Sequence, residues 1–403
     1  MAPVVETFID TPEALAALCE KLTGHPILAV DTEFIREQSY VPSLELVQVA
    51  TPDGTVAAVD YRAIGRMPDD PLVALLTDPS ILKVLHAADQ DLEMLQLLTG
   101  VVPGPIWDTQ LVTGLFGYSG RLGYQAVVEN MLGKKPTKGE TLTDWSQRPL
   151  TPEQLHYALE DVRFLIPLYE AERRELQGLG REAWALEECE RVRCHVERNL
   201  QTRADQQTLF YRIKGWSSLD RRGLAVLREL AIWREQEAAR RNRPRGSVMR
   251  DEYLVEMARR APNAPHQLRA IRGLHPRDLE RHTDALLAVI KRGKAVPPEA
   301  CPTPDVSGPQ LDEAEAALAS LLNAVLHVIA AEKLVSATLV GTVADLQRLV
   351  EAHRKGQLGS LPMLNGWRGE LVGQTLIGIL TGELSARWDP RAKHLCLEPV
   401  AKA

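Results

Sequence analysis

The stretch "ILAVDTEF", residues 27–34, decides the fold. Four apolar residues run straight into Asp31, and Glu33 follows two positions later. Alternation along a strand puts both carboxylates on one face. An isolated pair of this kind reads as a strand end reaching solvent; in a central strand it reads as acids delivered to a common point. Two further runs follow, "LELVQVA" (44–50) and "TVAAVD" (55–60), joined by the turn "TPDG", which fits an antiparallel hairpin. Helix and short strand then alternate: a helix near 71–77, "LKVLH" as strand, "DLEMLQLL" as helix, "IWD" as strand, and helices to about 172. This pattern predicts an α/β domain with a mixed sheet flanked by helices.

From there the pattern reads as helical to the end. Residues 172–210 look like long charged helices between domains, and an all-helical segment follows to about 293. "GKAVPPEACPTPDVSGP" carries five prolines and reads as a linker before a last helical segment near 309–390. The two helical segments share a short pattern of apolar, polar, Gly and apolar residues, "IRGL" at 271–274 and "LNGW" at 364–367, which suggests a duplicated small domain. The expected division is 1–205, 206–295 and 306–403.

A chain of 403 residues suits two or three domains. The first residues carry Glu6 and Asp10 without the apolar stretch of a secretory leader. No apolar run is expected to reach the roughly 18 residues of a membrane span. Five scattered cysteines argue for reduced thiols and a cytoplasmic setting. The net charge of −7 hides an asymmetry, because residues 211–295 hold 20 Lys+Arg against 10 Asp+Glu. A basic module beside an acidic body suggests a polyanion partner for one and cations for the other.

Two more elements carry acids in notable places. In "HAADQDLEMLQLL", Asp91 falls in register with Met94, Leu95 and Leu98, so a carboxylate joins an apolar stripe; Asp89 reads as the N-cap. In "LTPEQLHYALEDVRFLIPLYE", Thr151, Pro152 and Gln154 form a helix start with a capping box. Leu155, Leu159, Val162, Ile166 and Tyr169 make the core stripe there, while Tyr157 and Asp161 stack at i and i+4 on the other side. Helix-dipole chemistry for Asp91 and a solvated face for Tyr157 and Asp161 are the plainer readings. Taken together, four carboxylates would repel one another unless cations neutralised them. Magnesium or manganese suits such oxygen ligands, and two ions about 4 Å apart can activate a water and stabilise the leaving oxygen of a phosphodiester.

"VDTEF", "LHAADQDLEML" and "YALEDVRFLIPLY", in this order, resemble the three motifs of the DEDD 3'–5' exonucleases, tyrosine subclass. "TLTDWSQRPLTPEQLHYALEDV" is similar to ribonuclease D, and the helical segments resemble the paired HRDC domains that follow its catalytic domain. The resemblance implies an RNase H-like fold followed by two all-α HRDC-like domains. It implies metal-dependent hydrolysis of RNA from the 3' end to nucleoside 5'-monophosphates, with tRNA precursors as substrates and no obligate protein partner. Asp31, Glu33, Asp91 and Asp161 would bind two Mg2+ or Mn2+ ions. Tyr157 would orient the attacking water, since a phenol titrating near 10 is a poor general base.

Other residues carry two readings each. Phe34 could stack on the terminal base or pack in the core. Gln48 reads as structural, His86 as structural or touching a phosphate, and Asp108 as a helix cap. Trp145 and Arg148 frame the substrate path or pin the loop before the Tyr157 helix. Arg241, Arg243 and Arg245 in "RRNRPR" read as phosphate contacts rather than a solvated face. "CERVRCH" has the wrong spacing for zinc. A DNA exonuclease of the same superfamily and a non-catalytic nucleic-acid scaffold are the rival functions.

Overall fold

The computed structural model describes residues 5–136, 143–303, 308–391 and 394–400. Thr141 and Leu142 of the ribonuclease D-like stretch and residues 304–307 of the proline-rich linker lie outside them.

Six strands form one mixed sheet in the order β1 (Val5–Ile9), β4 (Thr55–Asp60), β3 (Ser43–Ala50), β2 (Ile27–Ile35), β5 (Leu82–Leu85), β6 (Ile106–Asp108). β2 pairs antiparallel with β3 and parallel with β5, so the strand bearing Asp31 and Glu33 is central. The hairpin of β3 and β4 is as expected. Strand β1 was not legible beforehand; it pairs parallel with β4 at the sheet edge. Between Glu33 and Phe34 the register against β3 slips by one residue, because Glu45 bulges out of the pairing. Glu45 is fully buried there and meets Arg62 and Ser43.

The turn after β5 shows where capping was misread. The helix Asp89–Thr99 starts at Asp89, its cap position is Ala88, and no side chain of that segment caps it. The acid that fixes the turn before this helix comes from another strand. The Asp108 carboxylate accepts hydrogen bonds from the Ala87 and Ala88 amides at 2.9 and 3.0 Å. It also caps its own helix through the Gln110 and Leu111 amides at 2.9 and 3.3 Å. One buried carboxylate thereby satisfies four backbone donors and sets the entry of the Asp91 helix. At the other helix the Thr151–Gln154 capping box forms as expected.

Helices continue through Leu165–Leu179 and Glu182–Ala204. Residues 209–290 then build their own apolar core, with Leu224, Leu227, Leu230, Leu254, Leu286 and Ile290 at its centre. The segment after the linker has no separate core. Leu322, Leu326, Leu346, Leu349 and Leu376 pack into the cluster that includes the sheet residues Val47, Val49 and Val84.

Two expectations fail in this last segment. It is not helical to its end, since β7 (Leu384–Asp389) and β8 (His394–Pro399) form an antiparallel hairpin. One helix, Glu313–Glu332, is long and apolar enough to cross a membrane by length and composition. Exposed alanines, Ala314, Ala316, Ala317, Ala324 and Ala331, raise its hydropathy, while Leu322, Val325, Leu326 and Ile329 face the shared core.

A buried ion pair docks this segment on the helix Glu182–Ala204. The Glu188 carboxylate accepts from Arg368 Nη2 at 2.6 Å, Trp367 Nε1 at 2.9 Å and Arg191 Nη2 at 2.7 Å. Trp184 stacks on Trp367 with ring centroids 5.0 Å apart. Removing one partner of a buried pair strands the other charge, so Glu188→Ala is expected to cost about 3–5 kcal/mol. Urea unfolding followed by tryptophan fluorescence checks this; an unshifted midpoint would show that the pair adds nothing.

Candidate active site

Strand β2 and the helix Pro152–Arg163 bring three carboxylates to one point. One oxygen from each of Asp31, Glu33 and Asp161 lies within 4.8 Å of the other two. All three are half-buried. Asp91 is buried on its own helix, and the hydroxyl of Thr32, between the two strand acids, donates to its Oδ1. Asp91 stands outside the three-residue group, yet its charge acts on both Asp31 and Glu33.

The electrostatics follow from burial and like charge. Burial, then the charges of Asp91, Asp161 and Glu33, raises Asp31 well above the usual carboxylate range. Glu33 is pushed up to about 9, first by burial and then by Asp161 and Asp91. Burial likewise pushes Asp91 and Asp161 up to about 7, and hydrogen bonds from Thr32 and Tyr157 pull the other way. Tyr157 rises further above the ordinary phenol range through burial and the charges of Asp161, Glu33 and Asp31. Its hydroxyl stays protonated and hydrogen-bonds Asp161. Such an all-oxygen, self-repelling donor set fits hard divalent cations, which would relieve the repulsion.

A cavity of ≈ 550 Å³ opens beside Glu33, with Phe34 and Trp145 in its walls. Trp145 also packs on Tyr157, ring centroids 6.2 Å apart, and its indole is buried with Leu46 and Ala158. Trp145 thus lines the cavity and also packs against the Tyr157 helix. Arg148 is committed to the loop: its Nη2 meets Asp60 Oδ1 at 2.7 Å, and Nη1 meets the Trp145 carbonyl at 2.8 Å. Gln48 is fully buried opposite Asp31 in the sheet. His86 is not a wall of this cavity. Its Nδ1 meets Thr109 Oγ1 at 2.9 Å, its ring sits edge-on to Tyr124, and burial keeps it below the usual imidazole range.

The basic candidates lie on the segment 209–290. Arg243 is exposed, and Arg241 sits 4.0 Å from Glu237. Arg245 is held by Glu235 in a two-point ion pair at 2.5 and 2.6 Å and lies over the Tyr40 ring at 4.6 Å. Tyr40 belongs to the loop after β2, and its hydroxyl donates to Glu235 at 2.6 Å. Arg245 therefore serves the contact between the basic module and the sheet domain.

Thr32 and Tyr124 escaped the sequence reading. Thr32 had a signal, its position between the two acids. Tyr124 had none; its hydroxyl donates to the Glu160 carbonyl at 2.8 Å and accepts from the Phe164 amide at 3.2 Å, bracing the helix that carries Asp161.

The 3'-5' exonuclease family matches residues 7–177, and the HRDC domain family matches residues 223–290. Ribonuclease D of Nitrobacter hamburgensis is 35% identical over 94% of this chain and 96% of its own length. Ribonuclease D of Escherichia coli is 33% identical over 92% of this chain and 97% of its own length. The crystal structure of the Escherichia coli enzyme, described as an exoribonuclease involved in structured RNA processing, superposes with a TM-score of 0.82 and 31% identity, covering 94% of this chain and 99% of that one.

The raised carboxyls predict a pH response. Each binds its proton more tightly folded than unfolded, so the folded state carries more protons between the ordinary carboxylate range and about 9. Stability of the metal-free protein should therefore fall as pH rises through that window. Magnesium or manganese binds the ionised form and should raise the melting temperature more at about pH 8 than at about pH 5.5. Calorimetry with and without the cation tests this; a metal-induced gain that does not grow with pH would contradict it.

Proposed function

Because this chain belongs to the ribonuclease D family and is a 3'–5' exoribonuclease, we propose that it trims RNA at a two-cation site built from Asp31, Glu33, Asp91 and Asp161. The observation that carries this reading is the convergence of Asp31, Glu33 and Asp161 oxygens within 4.8 Å from a central strand and a separate helix. Its fold is that of a family that uses divalent metals. Bound magnesium or manganese would supply charge neutralisation and Lewis acidity at the scissile phosphate.

The chain's own residues do the rest. Asp31 and Glu33 would hold the cations from the strand, with Asp91 and Asp161 completing the set from the two helices. Tyr157, kept protonated by its acidic neighbours and tethered to Asp161, orients the attacking water through its hydroxyl. Phe34 and Trp145 flank the cavity beside Glu33; Trp145 frames the path, and Phe34 accepts the terminal nucleoside by stacking, which requires no particular base. His86 acts at one remove, packed edge-on against Tyr124, which braces the helix that carries Asp161. Arg241 and Arg243 give the basic module its phosphate-backbone contacts, with Arg245 fixing that module in place.

Transfer RNA precursors are the proposed substrates and the cytoplasm the proposed setting. The five cysteines are unpaired, which suits a reducing compartment. The proposed division into 1–205, 206–295 and 306–403 makes the last part a second HRDC-like copy. Gly273 of "IRGL" and Gly366 of "LNGW" both take positive φ, 93° and 54°, just before a closing helix.

Digestion of a 5'-labelled single-stranded RNA beside a DNA of the same sequence tests the activity. The expected result is a ladder shrinking from the RNA 3' end only when a divalent cation is present. Asp31→Asn removes a ligand charge and keeps the shape, so activity should drop by about a hundredfold or more with little change in melting temperature. Retained activity would remove Asp31 from the site, and a ladder mainly on DNA would redirect the substrate assignment.

A further inference from the structure

Arg36 stands where two cavities meet. It lines the cavity beside Glu33 and also a second one of ≈ 480 Å³ in the cleft toward the basic module, walled by Tyr40, Met94, Arg212 and Arg245. Its guanidinium lies over the Phe34 ring at 4.8 Å, and Nη1 meets Glu93 Oε2 at 3.1 Å. The other two nitrogens, Nε and Nη2, are shielded from solvent and make no hydrogen bond among the described residues. Shielded donors without partners are costly, so this arrangement is poised to exchange partners. Arg148 and Arg245, by contrast, are committed to Asp60 and Glu235.

A strand of RNA bound by the basic module has to bring its phosphates toward four carboxylates. Divalent cations relieve that repulsion at the site itself, and a fixed positive charge at the entrance favours the approach before the strand reaches them. Guanidinium matches phosphate with paired donors and keeps its charge at any working pH. We propose that Arg36 is the phosphate-binding residue that passes the RNA strand from the interdomain cleft into the carboxylate groove. In the RNA-free protein it rests on Phe34 and Glu93. When RNA enters, a backbone phosphate takes up its unpaired donors and the Phe34 face becomes open to a base. This inference rests on the exoribonuclease reading above.

The test measures steady-state degradation of a single-stranded oligoribonucleotide with magnesium, across a potassium chloride series, for wild type, Arg36→Gln, Arg36→Lys and Glu93→Gln. Loss of one phosphate contact should raise the KM of Arg36→Gln about tenfold and flatten the logarithmic salt dependence of binding by about 0.7. Its kcat should stay within about twofold, because the contact forms in ground and transition states alike. Arg36→Lys should fall between, retaining the charge without the fork. Glu93→Gln frees the guanidinium and should lower KM. A merely structural ion pair would instead make Arg36→Gln and Glu93→Gln err in the same direction, with the salt slope unchanged, and that outcome overturns the proposal. If Arg36→Gln fails to fold by its melting curve, the opposite shifts expected of Arg36→Lys and Glu93→Gln still decide. An inactive wild type would overturn the exoribonuclease reading itself, and is visible before any variant is compared.

Discussion

Like charges held close together in a partly buried place are unfavourable, and this constraint governs the molecule. Asp31, Glu33, Asp91 and Asp161 each pay in burial, and most raise one another's proton affinity. Nothing in their own chemistry would hold them there. The scaffold does: β2 is fixed on both sides by β3 and β5, the Asp161 helix is fixed by a capping box and by Tyr124, and the Asp91 helix is fixed by Asp108 and Thr32. Stability built elsewhere is spent on a group of acids that only a cation can satisfy.

The basic module is placed with the same economy. Its arginines are numerous, but Arg245, which meets the sheet domain at Tyr40, is paired with Glu235 of the module itself. Tyr40 ties this contact to the loop emerging from β2, so the basic module is braced against the strand that carries two of the acids.

Much of this was legible in the sequence because it is local. Strand alternation placed Asp31 beside Glu33, helical spacing placed Tyr157 with Asp161, and the Thr151–Gln154 cap announced its helix. What stayed hidden depends on contacts distant in the chain. Asp89 looked like a cap because the carboxylate that fixes the preceding turn, Asp108, lies about twenty residues on and acts from the neighbouring strand. The edge strand β1 and the hairpin of β7 and β8 are short and half-exposed, without the continuous apolar runs that marked the central strands. The Glu313–Glu332 helix reads as apolar all round because it carries many alanines, which hydropathy counts even where they are not buried. Arg245 looked like a phosphate ligand because the sequence does not reveal that Glu235 sits across from it.

The arrangement of apolar cores has a thermodynamic consequence. The last segment and the sheet domain share their apolar packing, while residues 209–290 carry packing of their own. The first helical module can open while the nuclease sheet stays intact, since what joins them is a latch of a few polar and aromatic contacts. The last segment cannot detach without exposing apolar side chains of the catalytic domain, so a chain cut at the proline-rich linker would lose part of its core.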